Sequence, residues 1–239
     1  MKISAKNIDF KELNEQIRAI ADDVCIDDCY GQRFIGSALA GKKTITINGT
    51  PGNALGAYLD GGVIKVHGNA QDAVGDTMNE GRIIIHGNAG DALGYSMRGG
   101  AIFVKGDSGY RTGIHMKEYK TKSPAIVIGG KVGSFLGEYL AGGLIVVLGI
   151  GADVIPVGNF TGTGMHGGKI FIRTDKELSG LPAQVIVQVA TQEDLKDIKP
   201  YIAEFADNFC MDTEALLKDR FYVLKPNAKN PYKQLYTAN

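Results

Sequence analysis

HGNAQDAVGDTMNEGRIII, residues 67–85, is followed at once by HGNAGDALGYSMRGGAIFV, residues 86–104. These near-copies decide the fold, because a unit of nineteen residues cannot enclose a core alone and must stack on its neighbours. The period extends beyond the pair. Gly49, Gly68, Gly87 and Gly106 are nineteen apart, as are Gly56, Gly75, Gly94 and Gly113, and as are Gly62, Gly81 and Gly100. An insertion of five around Tyr119 to Pro124 moves the series to Gly130, Gly137, Gly143 and Gly149. A further six within Ile150 to Pro156 moves it to Gly162 and Gly168, and a degenerate earlier copy holds Gly36 and Gly41.

Each copy ends in a short β-branched run. Aligning the runs puts Ile45, Ile64, Ile83, Ile102, Ile126, Ile145 and Ile170 in one column. Two residues later come Ile47, Val66, Ile85, Val104, Ile128, Val147 and Ile172. A period of two within a run is a strand with one face inward. A third apolar column, Leu59, Met78, Met97, Met116, Leu140 and Met165, follows the second glycine by three. The reading is an all-β solenoid, a single-stranded parallel β-helix of about seven coils, roughly 33 Å long at about 4.8 Å per coil. A left-handed hexapeptide helix ranks second, because the inward columns fall at unequal intervals.

The solenoid spans residues 30–174, between an N-terminal helical cap at 1–29 and a C-terminal helical extension and arm at 175–239. Upstream, Asp9 reads as an N-cap answered by Glu12, with Ile8 stapling onto Leu13 and an apolar stripe through Phe10, Leu13, Ile17 and Ile20. Downstream, Thr191 opens an amphipathic pattern through Leu195, Ile198, Ile202, Phe205 and Phe209, with Pro200 expected to kink or divide it. These helices are expected to cover the solenoid's open ends. Asp212 reads as the cap of a short third helix, and the aromatic tail through PYKQLY as an arm lying on another surface.

Lys plus Arg and Asp plus Glu each number 26 in 239 residues, so no net field draws nucleic acid or an anionic membrane. The longest strongly apolar stretch, Leu144 to Ile150, is too short to span a bilayer. Three cysteines fit a reducing cytoplasm better than a disulfide framework. The candidate chemistry is thin. Gly162, Gly164 and Gly167 match a dinucleotide fingerprint, but a strand follows where that fingerprint needs a helix. His67 and His86 stack in successive coils, yet Lys105 comes next and no ligand completes a metal site, so a solvent-facing ladder is expected. Asp72 and Asp91 share a column with Asn53, where paired carboxylates could do acid–base work, although Asp and Asn also suit turns. Cys25 and Cys29 have the spacing of one helix face, with Cys210 remote, and Met1-Lys2 offers no N-terminal nucleophile. No catalytic, cofactor-binding or metal residue is assigned.

The glycine grammar G-x-x-G-x-x-x-G occurs at Gly49/Gly52/Gly56, Gly87/Gly90/Gly94, Gly106/Gly109/Gly113 and Gly130/Gly133/Gly137, with Gln71 in place of one middle glycine. It resembles the GXGXG domain of the glutamate synthase large subunit, also found in one of the subunits of formylmethanofuran dehydrogenase. The resemblance covers about residues 31–174 and implies a right-handed helix without catalytic residues. It further implies a cytoplasmic scaffold subunit of a split glutamate synthase, which turns glutamine and 2-oxoglutarate into two glutamates. The partners would be a glutaminase subunit and a synthase subunit that holds FMN and iron–sulfur clusters, with no cofactor in this chain. The alternatives are a formylmethanofuran dehydrogenase scaffold and an independent β-helical hydrolase or lyase. Self-association into a homo-oligomer stays open.

Overall fold

The computed structural model describes residues 1–227. Its elements run β1 (Lys2–Ser4), α1 (Phe10–Ala19), β2 (Val24–Tyr30), β3 (Ala40–Thr50), β4 (Asp60–His67), β5 (Glu80–Ile85), β6 (Ala101–Val104), β7 (Ala125–Ile128), β8 (Ala141–Val147), β9 (Gly167–Arg173), β10 (Val185–Val189), α2 (Gln192–Phe209), α3 (Thr213–Leu217) and β11 (Phe221–Pro226). One 11-stranded sheet holds every strand among the described residues in the order β1-β2-β3-β4-β5-β6-β7-β8-β9-β11-β10, parallel from β1 to β9. This is a parallel β-solenoid of about seven turns, one clear strand to each coil.

The strand register reproduces the aligned columns. Ile45 pairs with Ile64, Ile83 with Ile102, Ile102 with Ile126 and Ile145 with Ile170, so both insertions loop out without shifting the ladder. The two β-branched columns and the Leu/Met column are fully buried in one continuous core. Each fully buried Ile or Val contributes about 1.5–3 kcal/mol, enough to make stacking the dominant stabilising term.

A second glycine column shows why this core excludes any side chain at the corner. Gly94 sits at φ +67°, and a Cβ built on it would stand 2.4 Å from Cδ1 of Ile126 in the following coil. The same isoleucine column that fills the lumen therefore fixes the glycine.

The ends differ from expectation. Asp9 does cap α1, accepting the Lys11 N–H at 2.7 Å, while Glu12 turns to Gln16 instead of completing a capping box. Leu13 and Ile17 close the lumen with Ile3, Ala5 and Ile8 around them. Within residues 1–29 only α1 is helical. Val24 pairs with Ile45 and Ile26 with Ile47, so their alternation extends the ladder by one strand. Cys25 and Cys29 accordingly lie on β2, not on a helix face.

Helix α2 does not cover the far end. Thr191 caps it with a reciprocal Asp194 box, and Pro200 leaves it undivided over its 18 residues. Its apolar stripe, Ile198, Ile202, Phe205 and Phe209, lies on the outer face of the sheet against Ile84, Phe103, Val127, Val146 and Phe171. Those outward positions are apolar in the middle coils, which makes β6 and β7 buried on both faces. Lys169–Asp197 at 2.5 Å and Arg82–Glu204 at 2.6 Å set the helix running back along the stack. The far end is covered instead by β11, which pairs antiparallel with β9 and puts Tyr222 and Leu224 into the lumen core. Asp212 caps α3 as expected. The PYKQLY arm lies outside the described residues.

Candidate functional site

The polar columns face outward at the corners, and their geometry shows what they do. Asn53 Oδ1 accepts the Asp72 N–H at 3.3 Å, Asp72 Oδ1 accepts the Asp91 N–H at 2.9 Å, and Asp91 Oδ1 accepts the Tyr110 N–H at 2.8 Å. Each side chain thus satisfies a backbone donor of the next coil. A second ladder, missed in the sequence, runs through Asn69, Asn88 and Asp107 to the Lys131 N–H, with distances of 2.8, 2.8 and 2.7 Å. Its signal was the Asn or Asp directly after Gly68, Gly87 and Gly106.

Glycine and the Asn or Asp side-chain oxygen form one device. A Cβ on Gly106 would stand 2.1 Å from Asn88 Oδ1, and one on Gly109 the same distance from Asp91 Oδ1. The oxygen comes within 2.9 Å of the next N–H only where it crosses a residue without a side chain. Gln71 breaks the pattern, and the bond beside it, at 3.3 Å, is the longest of the two Asx ladders. The column of Asp72 and Asp91 is therefore a structural ladder in which Oδ1 of each carboxylate bonds the next coil.

His67 and His86 stack at 4.9 Å between ring centroids, and His86 meets the edge of Phe209 at 5.2 Å. The ladder is thus closed at one side by the end of α2 instead of facing solvent throughout. Burial first, then the charges of His67, Lys105 and Lys65, hold the His86 pKa below its usual 6.5. Among the described residues no group of three His, Cys, Asp or Glu side chains could hold a metal ion. Gly162 and Gly164 lie in a corner ahead of strand β9, with φ of +75° and +69°. That context lacks the helix N-terminus a pyrophosphate needs. Cys29 is buried, which pushes its thiol up to about 11. Cys25, half-buried, and Cys210, exposed, are also free.

The sequence columns overlooked one surface. The corner of the later coils carries Arg111 over the Phe135 ring at 5.0 Å, Phe135 stacked on Phe160 at 5.0 Å, and His115 stacked on Tyr139 at 5.1 Å. Tyr95 meets the edge of His115 at 5.9 Å, and Arg111 pairs with Glu138 at 3.3 Å. Phe160 and Tyr110 are more than half exposed. Arg111, Phe135, Phe160, His115 and Tyr139 all have positive φ, where Gly, Asn or Asp would be the easier choice. Aromatic residues and arginine are the types enriched in the cores of protein interfaces. The corner's signal was the spacing of residues 111, 135 and 160, which follows the insertions.

The GXGXG motif family matches residues 6–227, nearly all of the described chain. The chain belongs to the GXGXG motif family. At 45% identity over 251 aligned positions, it is similar to the uncharacterized protein MJ1350 of Methanocaldococcus jannaschii, with 99% of this chain and 96% of that protein covered. Its fold is similar to a chain of the formyltransferase/hydrolase complex FhcABCD from Methylorubrum extorquens, solved with methylofuran. That likeness has a TM-score of 0.62 at 18% identity and covers 92% of this chain and 88% of the other. At such identity the likeness shows the fold alone. No helix among the described residues is long and apolar enough to cross a membrane.

Proposed function

We propose that this GXGXG chain is a non-catalytic scaffold within an enzyme of several different chains, and that its parent assembly is of the formyltransferase/hydrolase kind. The observation that carries the scaffold reading is the use of both Asx ladders. The carboxylates of Asp72 and Asp91, the candidates for acid–base chemistry, each hold a backbone N–H of the next coil, as Asn53 does in the same column. The structural neighbour belongs to a complex, which supports a partner-bound role for the fold and favours the formyl-transfer parent. The free cysteines accord with a cytoplasmic location.

Glutamate synthase is the second reading, supported by the glycine grammar at Gly87, Gly90 and Gly94 and its repeats. It would leave glutamine hydrolysis to one partner chain, and FMN and iron–sulfur chemistry to another. The test is recovery of the tagged chain from its native cells with identification of what accompanies it. Formyltransferase and hydrolase chains are the expected companions. A glutaminase with a flavin iron–sulfur chain would move the assignment to glutamate synthase, and recovery of the chain alone would contradict the scaffold reading.

A further inference from the structure

Among the described residues strand β10 ends the sheet, pairing with β11 on one side only. Edge strands of soluble proteins are normally guarded by Lys, Pro, a bulge or a covering element. This one reads Val-Ile-Val-Gln-Val, and residues 178–192 carry no charged side chain. Ile186, Val187 and Val189 are 47%, 37% and 56% exposed.

The ladder fixes which backbone groups are free. Ala190 N–H donates to Phe221 and Asn227 N–H donates to Gln184, so by antiparallel alternation the even-numbered residues of β10 bond to β11. Val187 and Val189 therefore direct their N–H and C=O groups away from β11. Val185 does the same with its C=O, its N–H being taken by Pro182. Val187 pairs with Leu224 and Val189 with Tyr222, so the outward-bonding valines share the face of the lumen core.

From this geometry we infer that β10 pairs antiparallel with β10 of a second copy of the chain, about a two-fold axis at Val187. The strand is self-complementary in that register. Val187 faces Val187, Val185 faces Val189 and Ile186 faces Gln188, with no like charges opposed. Four backbone hydrogen bonds form, two between the Val187 pair and two from Val189 N–H to the partner's Val185 C=O. The sheet becomes continuous through both solenoids, and the apolar end of one lumen meets that of the other. The contact is isologous, so it closes at two copies and does not grow into a fibre.

The test is the solution mass of the full chain from low to high micromolar concentration, for wild type and for Val187→Lys, which sets two ammonium groups against each other at the axis. The expected result is a dimer of the 25.5 kDa chain that the substitution converts to a folded monomer with unchanged circular dichroism. Should Val187→Lys not fold, Val189→Lys, at the more exposed position, is read in its place. A monomeric wild type would overturn the inference and leave the edge to a strand of another chain. A dimer that survives a folded variant would overturn it as well. Neither outcome bears on the scaffold reading, which concerns other subunits.

Discussion

Asn88 Oδ1 accepts the Asp107 N–H at 2.8 Å while lying over the bare Cα of Gly106. Side-chain acceptor and glycine are thus one unit of coil-to-coil pairing, repeated by Asp91, Gly109 and Tyr110. Replacing Asp91 by Asn keeps the acceptor and is expected to leave stability within about 0.5 kcal/mol, whereas Asp91→Ala orphans the Tyr110 N–H and costs about 1–2 kcal/mol. Urea unfolding of the two variants separates an acceptor role from a requirement for charge.

Gly94→Ala is expected to be far more damaging than a surface glycine change. The new methyl meets Ile126 Cδ1 at 2.4 Å and the residue keeps a φ of +67°. Overpacking costs about 1–3 kcal/mol and the left-handed backbone about 1–2 kcal/mol more. A fall in the urea midpoint at constant m-value checks it.

Phe205 is fully buried between α2 and the outer face of the sheet, and its ring is 2.9 Å from a Cβ built on Gly129. Phe205→Ala is expected to cost about 3–5 kcal/mol and to loosen α2 ahead of the solenoid. Hydrogen exchange should show amides of Gln192–Phe209 losing protection while those of the lumen strands keep theirs.

Acid should weaken the fold through His86. Its folded pKa lies below 6.5, so the unfolded chain binds the proton more readily and stability rises with pH across that interval. The contribution is complete above the unfolded pKa and is lost as pH falls through the folded one. Unfolding midpoints measured between pH 7.5 and 5 should decline, and His86→Gln should flatten part of the decline.

Under the scaffold reading, the aromatic corner should matter to assembly and not to folding. Phe160, 57% exposed and stacked on Phe135, is expected to be replaceable by Ala with little change in melting temperature. Recovery of partner chains with Phe160→Ala should fall several-fold if they dock at this corner.

Most of the solenoid was legible because stacking repeats its demands: Ile83, Ile102 and Ile126 occupy one lumen column and recur with the coil. Strand β2 was hidden, since Val24 and Ile26 form a coil without the glycine signature. The place of α2 was hidden for a different reason. Its stripe from Ile198 to Phe209 announces a helix, but only the outward apolar set Phe103, Val127, Val146 and Phe171 says where it lies. The ladder role of Asp72 and Asp91 needed coordinates, because a turn preference and a carboxylate pair look alike in sequence. The corner stack of Arg111, Phe135 and Phe160 escaped because its column reads Ala54, Ala73 and Ala92 in the earlier coils, so no repeated residue type marks it.

The most direct test is turnover by the complex purified with its partners from native cells, comparing wild type with an Asp72→Asn, Asp91→Asn double variant. Both substitutions preserve the ladder and remove the carboxylates. Unchanged kcat, with the same partner chains recovered, is the predicted result. A loss of a hundredfold or more with assembly intact would place a reacting group in this chain and contradict the account.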